Sequence, residues 1–286
     1  MFVKENTISA IKEYFFDSLV DLYPKTEIDS FFNILGEHYL GFSRSELVVK
    51  ANENMSESEL LKFHYAIKDL KKFKPVQYIT GKQYFYENEF VVNEHTLIPR
   101  PETEELVDLI VKENKGFNER ILDIGTGSGA IAISLDKAIS QSNVTAFDVS
   151  KKVLETAQNN NNELNAEVHF EIQDILNSTY SGEPFDIIVS NPPYVLNSEK
   201  ELMQSNVLDH EPHIALFVKD SDPLLFYKAI VDFCNVNLNK DGKLYFEINE
   251  KYGVETIELL EKNNYKELEL INDMQGKNRI VKGIKK

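Results

Sequence analysis

The sequence of 286 residues contains one cysteine, no tryptophan and no long apolar run. No segment approaches the roughly 18 consecutive apolar residues that a membrane-spanning helix requires. Residues 1–14 carry Lys4, Glu5, Lys12 and Glu13, which is not the pattern of a signal peptide. Cys234 has no second cysteine to pair with, so an internal disulfide is excluded, and we interpret it as a small apolar residue on a helix. We therefore expect a cytoplasmic protein that is not inserted in a membrane.

Basic residues are also few, because 31 Lys and Arg oppose 47 Asp and Glu and leave a net charge of −16. Such a charge repels a phosphate backbone at long range. The basic run at residues 71–74 is interpreted as a solvated helix end, where positive charge complements the helix dipole. Nucleic acid is therefore not expected to be the main partner.

Helical spacing of apolar residues characterises residues 7–74. Ser56 and Glu59 predict a capping box at the start of one of these helices, and Pro75 ends the pattern. The length of the chain suggests about two domains. Residues 1–80 are therefore predicted to form a small N-terminal helical domain.

The pattern changes after this domain. Aromatic and β-branched residues flank the polar turn Glu87-Asn88-Glu89, which predicts a β-hairpin linker over residues 81–98. A helix is predicted to begin near Pro101, because proline suits the first helical position. Strands then alternate with helices over residues 99–286, which indicates an α/β fold with a doubly wound parallel sheet. The predicted strands, of which the last two suit an antiparallel edge, are 120–124, 144–149, 168–173, 185–190, 243–248, 265–271 and 279–284.

A glycine-rich segment, Asp123-Ile124-Gly125-Thr126-Gly127-Ser128-Gly129, follows the first strand of the predicted sheet and opens a helix. Glycines let a ligand approach the backbone closely, and a helix N-terminus presents free N–H groups. Because Gly125, Gly127 and Ala130 also satisfy a dinucleotide-binding pattern, the motif alone does not distinguish a dinucleotide site from an S-adenosylmethionine site. Asp123 favours S-adenosylmethionine, since a carboxylate suits its positively charged amino-acid end and would repel a pyrophosphate.

Carboxylates at the ends of the next two strands extend this predicted cofactor site. Asp148 ends the second strand, where it would accept both ribose hydroxyls, a feature shared with NAD enzymes. Asp174 ends the third strand and would accept from the adenine amine, although a turn residue that only terminates the strand is an alternative. Ile175 would pack on the adenine face.

The segment Asn191-Pro192-Pro193-Tyr194 follows the fourth strand, at the edge where open α/β sheets bind ligands. Its prolines stiffen the backbone and remove N–H donors. The Asn191 side-chain oxygen and the Pro192 carbonyl would accept the two hydrogens of a planar NH₂ group, while the Tyr194 ring stacks on it. This arrangement would align a weakly nucleophilic nitrogen with a sulfonium methyl and stabilise its growing positive charge, without a side-chain base. The segment predicts methylation of a planar nitrogen.

Two further features are less specific. His210 and His213 flank Pro212, which disrupts a helical ligand face, so no metal site is expected. Arg100 either borders the active site, where it would contact the substrate, or fixes the hairpin to the following helix.

Taken together, these motifs resemble the release factor glutamine methyltransferase family, PrmC/HemK. The resemblance covers nearly the whole chain and rests on the glycine-rich segment, on Asn191 to Tyr194, and on Pro75-Val76-Gln77-Tyr78-Ile79-Thr80-Gly81, Leu97-Ile98-Pro99-Arg100-Pro101-Glu102-Thr103-Glu104, Glu211-Pro212, Ala215-Leu216 and Asn278-Arg279.

The resemblance implies a helical domain for substrate recognition and a seven-stranded, Rossmann-like methyltransferase domain. It also implies a substrate, the glutamine side-chain amide in the Gly-Gly-Gln loop of class I peptide chain release factors. Gly125 to Gly129 and Asp148 would hold the cofactor, and Asn191 to Tyr194 would contact the glutamine. The chain departs from some family members at Ile175, where they place an aromatic residue beside adenine.

Two alternatives stay open. Exocyclic amines of nucleobases are also planar, so a nucleic-acid methyltransferase is a second interpretation. A non-catalytic adaptor that binds release factors is a third, although the intact motifs argue against it.

Overall fold

The computed structural model describes residues 5–114 and 118–286, and the chain forms two compact units. The first unit contains residues 5–81 together with Gln204–His210. The second contains Lys82–Met203 and Glu211–Lys286. Residues 1–4 of the predicted helical domain lie outside the described residues.

The first unit is helical, and its elements are α1 (Ile8–Leu19), α2 (Lys25–Leu40), α3 (Arg44–Val49), α4 (Glu57–Leu70) and α5 (Val76–Thr80). The capping box of Ser56 and Glu59 at the start of α4 is confirmed. A second capping box, formed by Ser43 and Glu46, begins the short helix α3, which the periodicity did not predict. The helices enclose a core in which the ring centroids of Phe32 and Phe63 lie 5.4 Å apart.

The hairpin predicted after this unit is present as β1 (Lys82–Phe85) and β2 (Asn88–Val91). Tyr86 and Glu87 form its turn with φ values of 42° and 65°. Two left-handed residues in a two-residue loop match the natural twist of paired strands. Phe85 and Phe90 are fully buried and meet edge to face, which anchors the hairpin in the core of the second unit.

The second unit then continues with α6 (Pro101–Glu113), which has proline at its first position as predicted. Its further elements are β3 (Arg120–Ile124), α7 (Ala130–Ala138), β4 (Asn143–Asp148), α8 (Lys151–Glu163), β5 (His169–Ile172), β6 (Phe185–Ser190) and β7 (Val195–Leu196). After α9 (Ser205–Leu208), which belongs to the first unit, follow α10 (His213–Leu216), β8 (Phe217–Val218), α11 (Leu225–Asn237), β9 (Leu238–Glu247), α12 (Gly253–Lys262), β10 (Tyr265–Asn272) and β11 (Asn278–Lys285).

Seven strands within the described ranges form one sheet in the order β10-β11-β9-β6-β3-β4-β5. Strands β3, β4, β5, β6 and β9 run parallel to one another, whereas β11 pairs antiparallel with both β9 and β10. The prediction of a doubly wound sheet with an antiparallel edge is confirmed. Both faces are covered, because Ile121 of β3 packs in one apolar cluster and Leu122 packs in the other.

The strand order places a switch point beside β3. The chain runs from β3 through β4 to the edge strand β5, and then returns to pair β6 with the other side of β3. Ile124 and Ser190, the last residues of β3 and β6, are register partners. Loops after such strands diverge and leave a crevice, which is where α/β sheets bind ligands.

No helix in the part of the chain that the structure describes is long and apolar enough to cross a membrane.

Candidate active site

The loop after β3, here called the glycine loop (Gly125–Gly129), depends on backbone conformations that favour glycine. Gly125, Gly127 and Gly129 have φ values of 78°, 57° and 83°. A Cβ atom on Gly129 would lie 2.9 Å from the Ile133 side chain, so this residue also requires its small size. At Gly125 and Gly127 no described atom lies within 4 Å of a Cβ position, so these glycines border open space.

Asp123 lies beneath the glycine loop with no exposed surface. Its Oδ2 accepts a 2.6 Å hydrogen bond from Thr126 Oγ1, while Oδ1 is buried and accepts no well-formed bond from the described residues. Burial raises the pKa of Asp123 to about 7, against the lowering effect of Thr126. The carboxylate therefore supports the loop, and near pH 7 it is about half ionised.

Asp148 joins the end of β4 to the same loop. Its Oδ2 accepts from the Gly127 backbone N–H at 3.2 Å, and its Oδ1 accepts from that of Ser150 at 3.0 Å. A carboxylate has about four lone-pair sites, so each oxygen retains capacity for a ligand hydroxyl. Burial raises the pKa of Asp148, and the backbone N–H groups oppose that shift.

Asp174 follows β5 and caps a 3₁₀ turn, Ile175–Asn177. It accepts from the Leu176 backbone N–H at 3.0 Å and from Asn177 Nδ2 at 2.9 Å. Ile175 is half-buried and packs against the apolar cluster that contains Leu122. A contact of either residue with adenine stays a prediction.

These residues fit S-adenosylmethionine. The Asp123 carboxylate lies buried beneath the loop, where a cationic ligand would favour its ionised form, and Gly125 and Gly127 leave space where a side chain would stand. Asp148 supplies acceptors at the edge of that space. No group of three or more histidine, cysteine or acidic side chains able to hold a metal ion occurs among the described residues.

The loop after β6, here called the Asn-Pro-Pro-Tyr loop (Asn191–Tyr194), starts beside the glycine loop. Ser190 Oγ donates a 2.7 Å hydrogen bond to the Ile124 carbonyl, which ties the ends of the two strands together. Pro192 is buried, whereas the other loop residues are half-exposed. The structure therefore brings the two predicted ligand sites to one point of the sheet edge.

A buried carboxylate that the sequence analysis missed, Glu247 at the end of β9, lies behind this loop. Tyr194 donates its hydroxyl hydrogen to Glu247 Oε1 at 2.9 Å, and Thr103 donates to Oε2 at 2.6 Å. Asn191 Nδ2 in turn donates to Thr103 Oγ1 at 3.3 Å. Burial, followed by the nearby Glu247 carboxylate, raises the pKa of Tyr194 well above its ordinary value, so the phenol is a neutral donor.

Asn249 and Glu199 hold the end of the Asn-Pro-Pro-Tyr loop. Asn249 Nδ2 donates to the Tyr194 carbonyl and to Glu199 Oε2, both at 3.2 Å. Glu199 also accepts from the Leu196 backbone N–H at 3.0 Å and pairs with Lys251. Neither side chain belongs to a recognisable sequence motif, so their contacts could not be predicted.

Arg100 has a buried partner in the second unit. Its guanidinium forms an ion pair with Glu211, whose side chain is 1% exposed and also accepts from the Ile98 backbone N–H at 3.2 Å. The pair links the start of α6 to the Glu211-Pro212 motif. A contact of Arg100 with substrate stays a prediction.

Asn160, from the asparagine tract in α8, joins the hairpin to the glycine loop. Its Nδ2 donates to the Ser128 carbonyl at 2.9 Å and to the Val91 carbonyl at 3.0 Å. Its Oδ1 accepts from the Val91 N–H at 2.7 Å. Residues 159–162 are all asparagine, and within this polar run Asn160 has a specific supporting position.

Two family models match the chain. The methyltransferase small domain matches residues 102–212, and the PrmC N-terminal domain matches residues 24–81.

Curated relatives match over nearly the full length. The chain is 47% identical to the release factor glutamine methyltransferase of Flavobacterium psychrophilum, covering 95% of this chain and 98% of the relative. It is 44% identical to the protein of the same name from Bacteroides thetaiotaomicron, covering 96% and 99%.

Solved structures are similar in fold. A methyltransferase from Pyrococcus furiosus has a TM-score of 0.51 and 20% identity, over 68% of this chain and 88% of that one. The T. thermophilus 16S rRNA N2 G1207 methyltransferase, solved with AdoMet and guanosine, also has a TM-score of 0.51, with 16% identity over 72% of this chain and 50% of that one.

Proposed function

We propose that the chain, which belongs to the release factor glutamine methyltransferase family, methylates class I peptide chain release factors. The methyl group would pass from S-adenosylmethionine to the side-chain amide nitrogen of the glutamine in their Gly-Gly-Gln loop. The observation that carries the proposal is the position of the Asn-Pro-Pro-Tyr loop beside the glycine loop, at the switch point of the sheet. One loop suits the cofactor and the other suits a planar amide.

For the cofactor, we assign the glycine loop, Asp123, Asp148, Asp174 and Ile175. S-adenosylmethionine, when bound, supplies an electrophilic methyl group on a sulfonium. The open space beside Gly125 and Gly127 would let the amino-acid end of the cofactor approach the loop closely. The Asp148 carboxylate would accept the ribose hydroxyls, while Asp174 and Ile175 would bind the adenine edge and face.

For the substrate, we assign Asn191, Pro192, Pro193 and Tyr194. The Asn191 Oδ1 and the Pro192 carbonyl accept the two N–H hydrogens of the glutamine amide, and the Tyr194 ring covers its plane. Because both hydrogens are held, the nitrogen lone pair has one direction in which to react, which lowers the entropic part of the barrier. The two oxygen dipoles stabilise the positive charge that develops on nitrogen. The proton is acidic after transfer and can leave to water.

We assign substrate recognition to the helical domain (1–80), with residues 81–98 as a linker and 99–286 as the methyltransferase domain. Residues 204–210 are an exception, because they cluster with the helical unit although they fall within the third range. Since release factors act in translation, we place the reaction in the cytoplasm. Arg100 is our further candidate for contact with the release factor.

Incubation of the purified protein with a release factor and S-adenosylmethionine, followed by peptide mass spectrometry, tests the proposal. We expect one added methyl on the peptide that contains Gly-Gly-Gln, and none on a release factor whose glutamine is replaced by glutamate. Methyl incorporation into nucleic acid but not into release factor would contradict the proposal. Absence of S-adenosylhomocysteine binding in calorimetric titration would instead favour a non-catalytic adaptor.

A further inference from the structure

Glu247 lies at the centre of a short chain of hydrogen bonds that ends at Asn191. The residue is 1% exposed, and each of its carboxylate oxygens accepts from a different hydroxyl, Tyr194 on Oε1 and Thr103 on Oε2. Burial raises the pKa of Glu247, while the hydrogen bonds from Thr103 and Tyr194 and the charge of Arg279 lower it. In the ionised form that these donors favour, the carboxylate has no hydrogen to donate. Each hydroxyl therefore donates its only hydrogen to Glu247.

The direction of the bond from Thr103 to Glu247 determines whether Thr103 can donate to Asn191 or only accept from it. A threonine hydroxyl has one hydrogen and two lone pairs. Because its hydrogen is used in the 2.6 Å bond to Glu247, Thr103 Oγ1 can only accept from its other neighbour. That neighbour is Asn191, which must therefore present its NH₂ group to Thr103, as it does at 3.3 Å.

The orientation of the Asn191 amide follows. The oxygen and nitrogen of an asparagine amide lie in one plane, on opposite sides of the Cβ–Cγ axis, so an NH₂ group directed to Thr103 turns Oδ1 away from it. If the chain of bonds ran in the reverse direction, Thr103 would donate to Oδ1 and the NH₂ group would face the ligand. Two NH₂ groups would then meet donor to donor, and the amide substrate would be repelled.

We propose that Glu247, acting through Thr103, is a positioning residue that selects the amide orientation of Asn191 in which Oδ1 accepts from the methyl-accepting nitrogen. This inference rests on the proposed function, in which Asn191 is an acceptor. The same carboxylate accepts the hydrogen bond that the Tyr194 hydroxyl donates. Tyr194 therefore offers the ligand its ring and no hydrogen-bond donor.

The chain of hydrogen bonds from Glu247 through Thr103 to Asn191, here called the relay, is tested by the variants Thr103→Val and Thr103→Ser. Valine keeps the branched shape without the hydroxyl, whereas serine keeps the hydroxyl. We expect Thr103→Val to lower kcat roughly 10-fold, the effect of releasing one hydrogen bond of ordinary strength. The KM for S-adenosylmethionine should not change, and Thr103→Ser should restore most of the lost kcat. Equal kcat values for the valine and serine variants would overturn the relay.

A double-mutant cycle with Asn191→Ala separates orientation from general packing. If Thr103 acts only through Asn191, Thr103→Val should have no further effect on kcat in the Asn191→Ala protein. An equal loss of kcat in both backgrounds would show a merely structural role and overturn the proposal. Thermal unfolding of each variant confirms that folded proteins are compared.

Failure of the proposed function can be distinguished from failure of the relay, because in the first case the wild-type protein itself would not methylate release factor. The cycle is in that case run on whichever planar NH₂ substrate the wild-type protein methylates. Hydrogen exchange of the Asn191 side-chain amide, measured by NMR, requires no turnover. We expect exchange to be slower in the wild-type protein and in Thr103→Ser than in Thr103→Val, and equal rates in all three would overturn the relay.

Discussion

The glycine loop and the Asn-Pro-Pro-Tyr loop leave neighbouring strands of one sheet, yet they are built in opposite ways. The first uses glycines at positive φ, which leave open space beside the loop. The second uses two prolines, and polar side chains from distant parts of the chain restrain it. We therefore propose different tasks for the two loops, in which the open glycine loop binds the cofactor and the restrained Asn-Pro-Pro-Tyr loop supplies a directional acceptor.

The largest effect that tests this contrast is expected for Asn191→Ala. Removing the side-chain acceptor should lower kcat about 100-fold or more, the scale for loss of a positioned polar group at a transition state. Cofactor affinity should stay within a few-fold of the wild-type value, because the glycine loop is untouched. Steady-state kinetics and calorimetry with S-adenosylhomocysteine measure the two quantities. A kcat close to that of the wild-type protein would remove the acceptor role.

Asp148→Ala is the complementary change on the cofactor side. It should weaken S-adenosylhomocysteine binding roughly 30-fold, or about 2 kcal/mol, because two ribose hydroxyls lose a charged acceptor. At saturating cofactor, kcat should be largely retained, which is the reverse of the pattern for Asn191→Ala. An unchanged dissociation constant would show that Asp148 serves only its backbone partners at the end of β4.

Cofactor affinity should also depend on pH through Asp123, whose pKa burial raises to about 7. A cationic cofactor favours the ionised carboxylate, so the complex holds fewer protons than the free protein, and affinity must rise with pH. We expect an increase of about 10-fold between roughly pH 6 and pH 8. Asp123→Asn keeps an acceptor for Thr126 but does not titrate, so the rise in affinity over that range should be much smaller in this variant. A rise of unchanged size in the variant would exclude Asp123 as its source.

The smallest effect is expected for Tyr194→Phe. Since the hydroxyl donates to Glu247 and not to the ligand, its loss should lower kcat only roughly three-fold while the ring keeps its place. Tyr194→Ala provides the comparison, because it also removes the ring and should lower kcat much further. If the phenylalanine variant lost as much activity as Asn191→Ala, the hydroxyl would have a direct role in the reaction.

The parts of the fold that local sequence determines could be predicted well. Strand β3, the capping box at Ser56 and the helix start at Pro101 each depend on neighbouring residues. Strand β9 was predicted to start at residue 243, whereas it starts at Leu238. Asp241 has a φ of 60° within that strand, so residues typical of a turn occur inside it.

The support of the site could not be predicted in this way. Glu247 lies 144 residues from Thr103 and 53 from Tyr194, and nothing in the local pattern distinguishes it from any carboxylate at a strand end. Asn160 lies 69 residues from Val91 and looks like part of a polar tract. Motifs identified the residues proposed to touch ligands, whereas the residues that orient them emerge only when strands and helices are brought together.

The helical unit is discontinuous in sequence, because the chain leaves it after Gly81 and supplies Gln204–His210 to it much later. Within this unit His210 Nε2 donates a 2.7 Å hydrogen bond to the carbonyl of Lys72. A gene fragment truncated at Gly81 would therefore omit part of its own fold. Chimaeras that exchange this helical unit between relatives need three junctions, because residues 204–210 must be transferred together with the N-terminal helices.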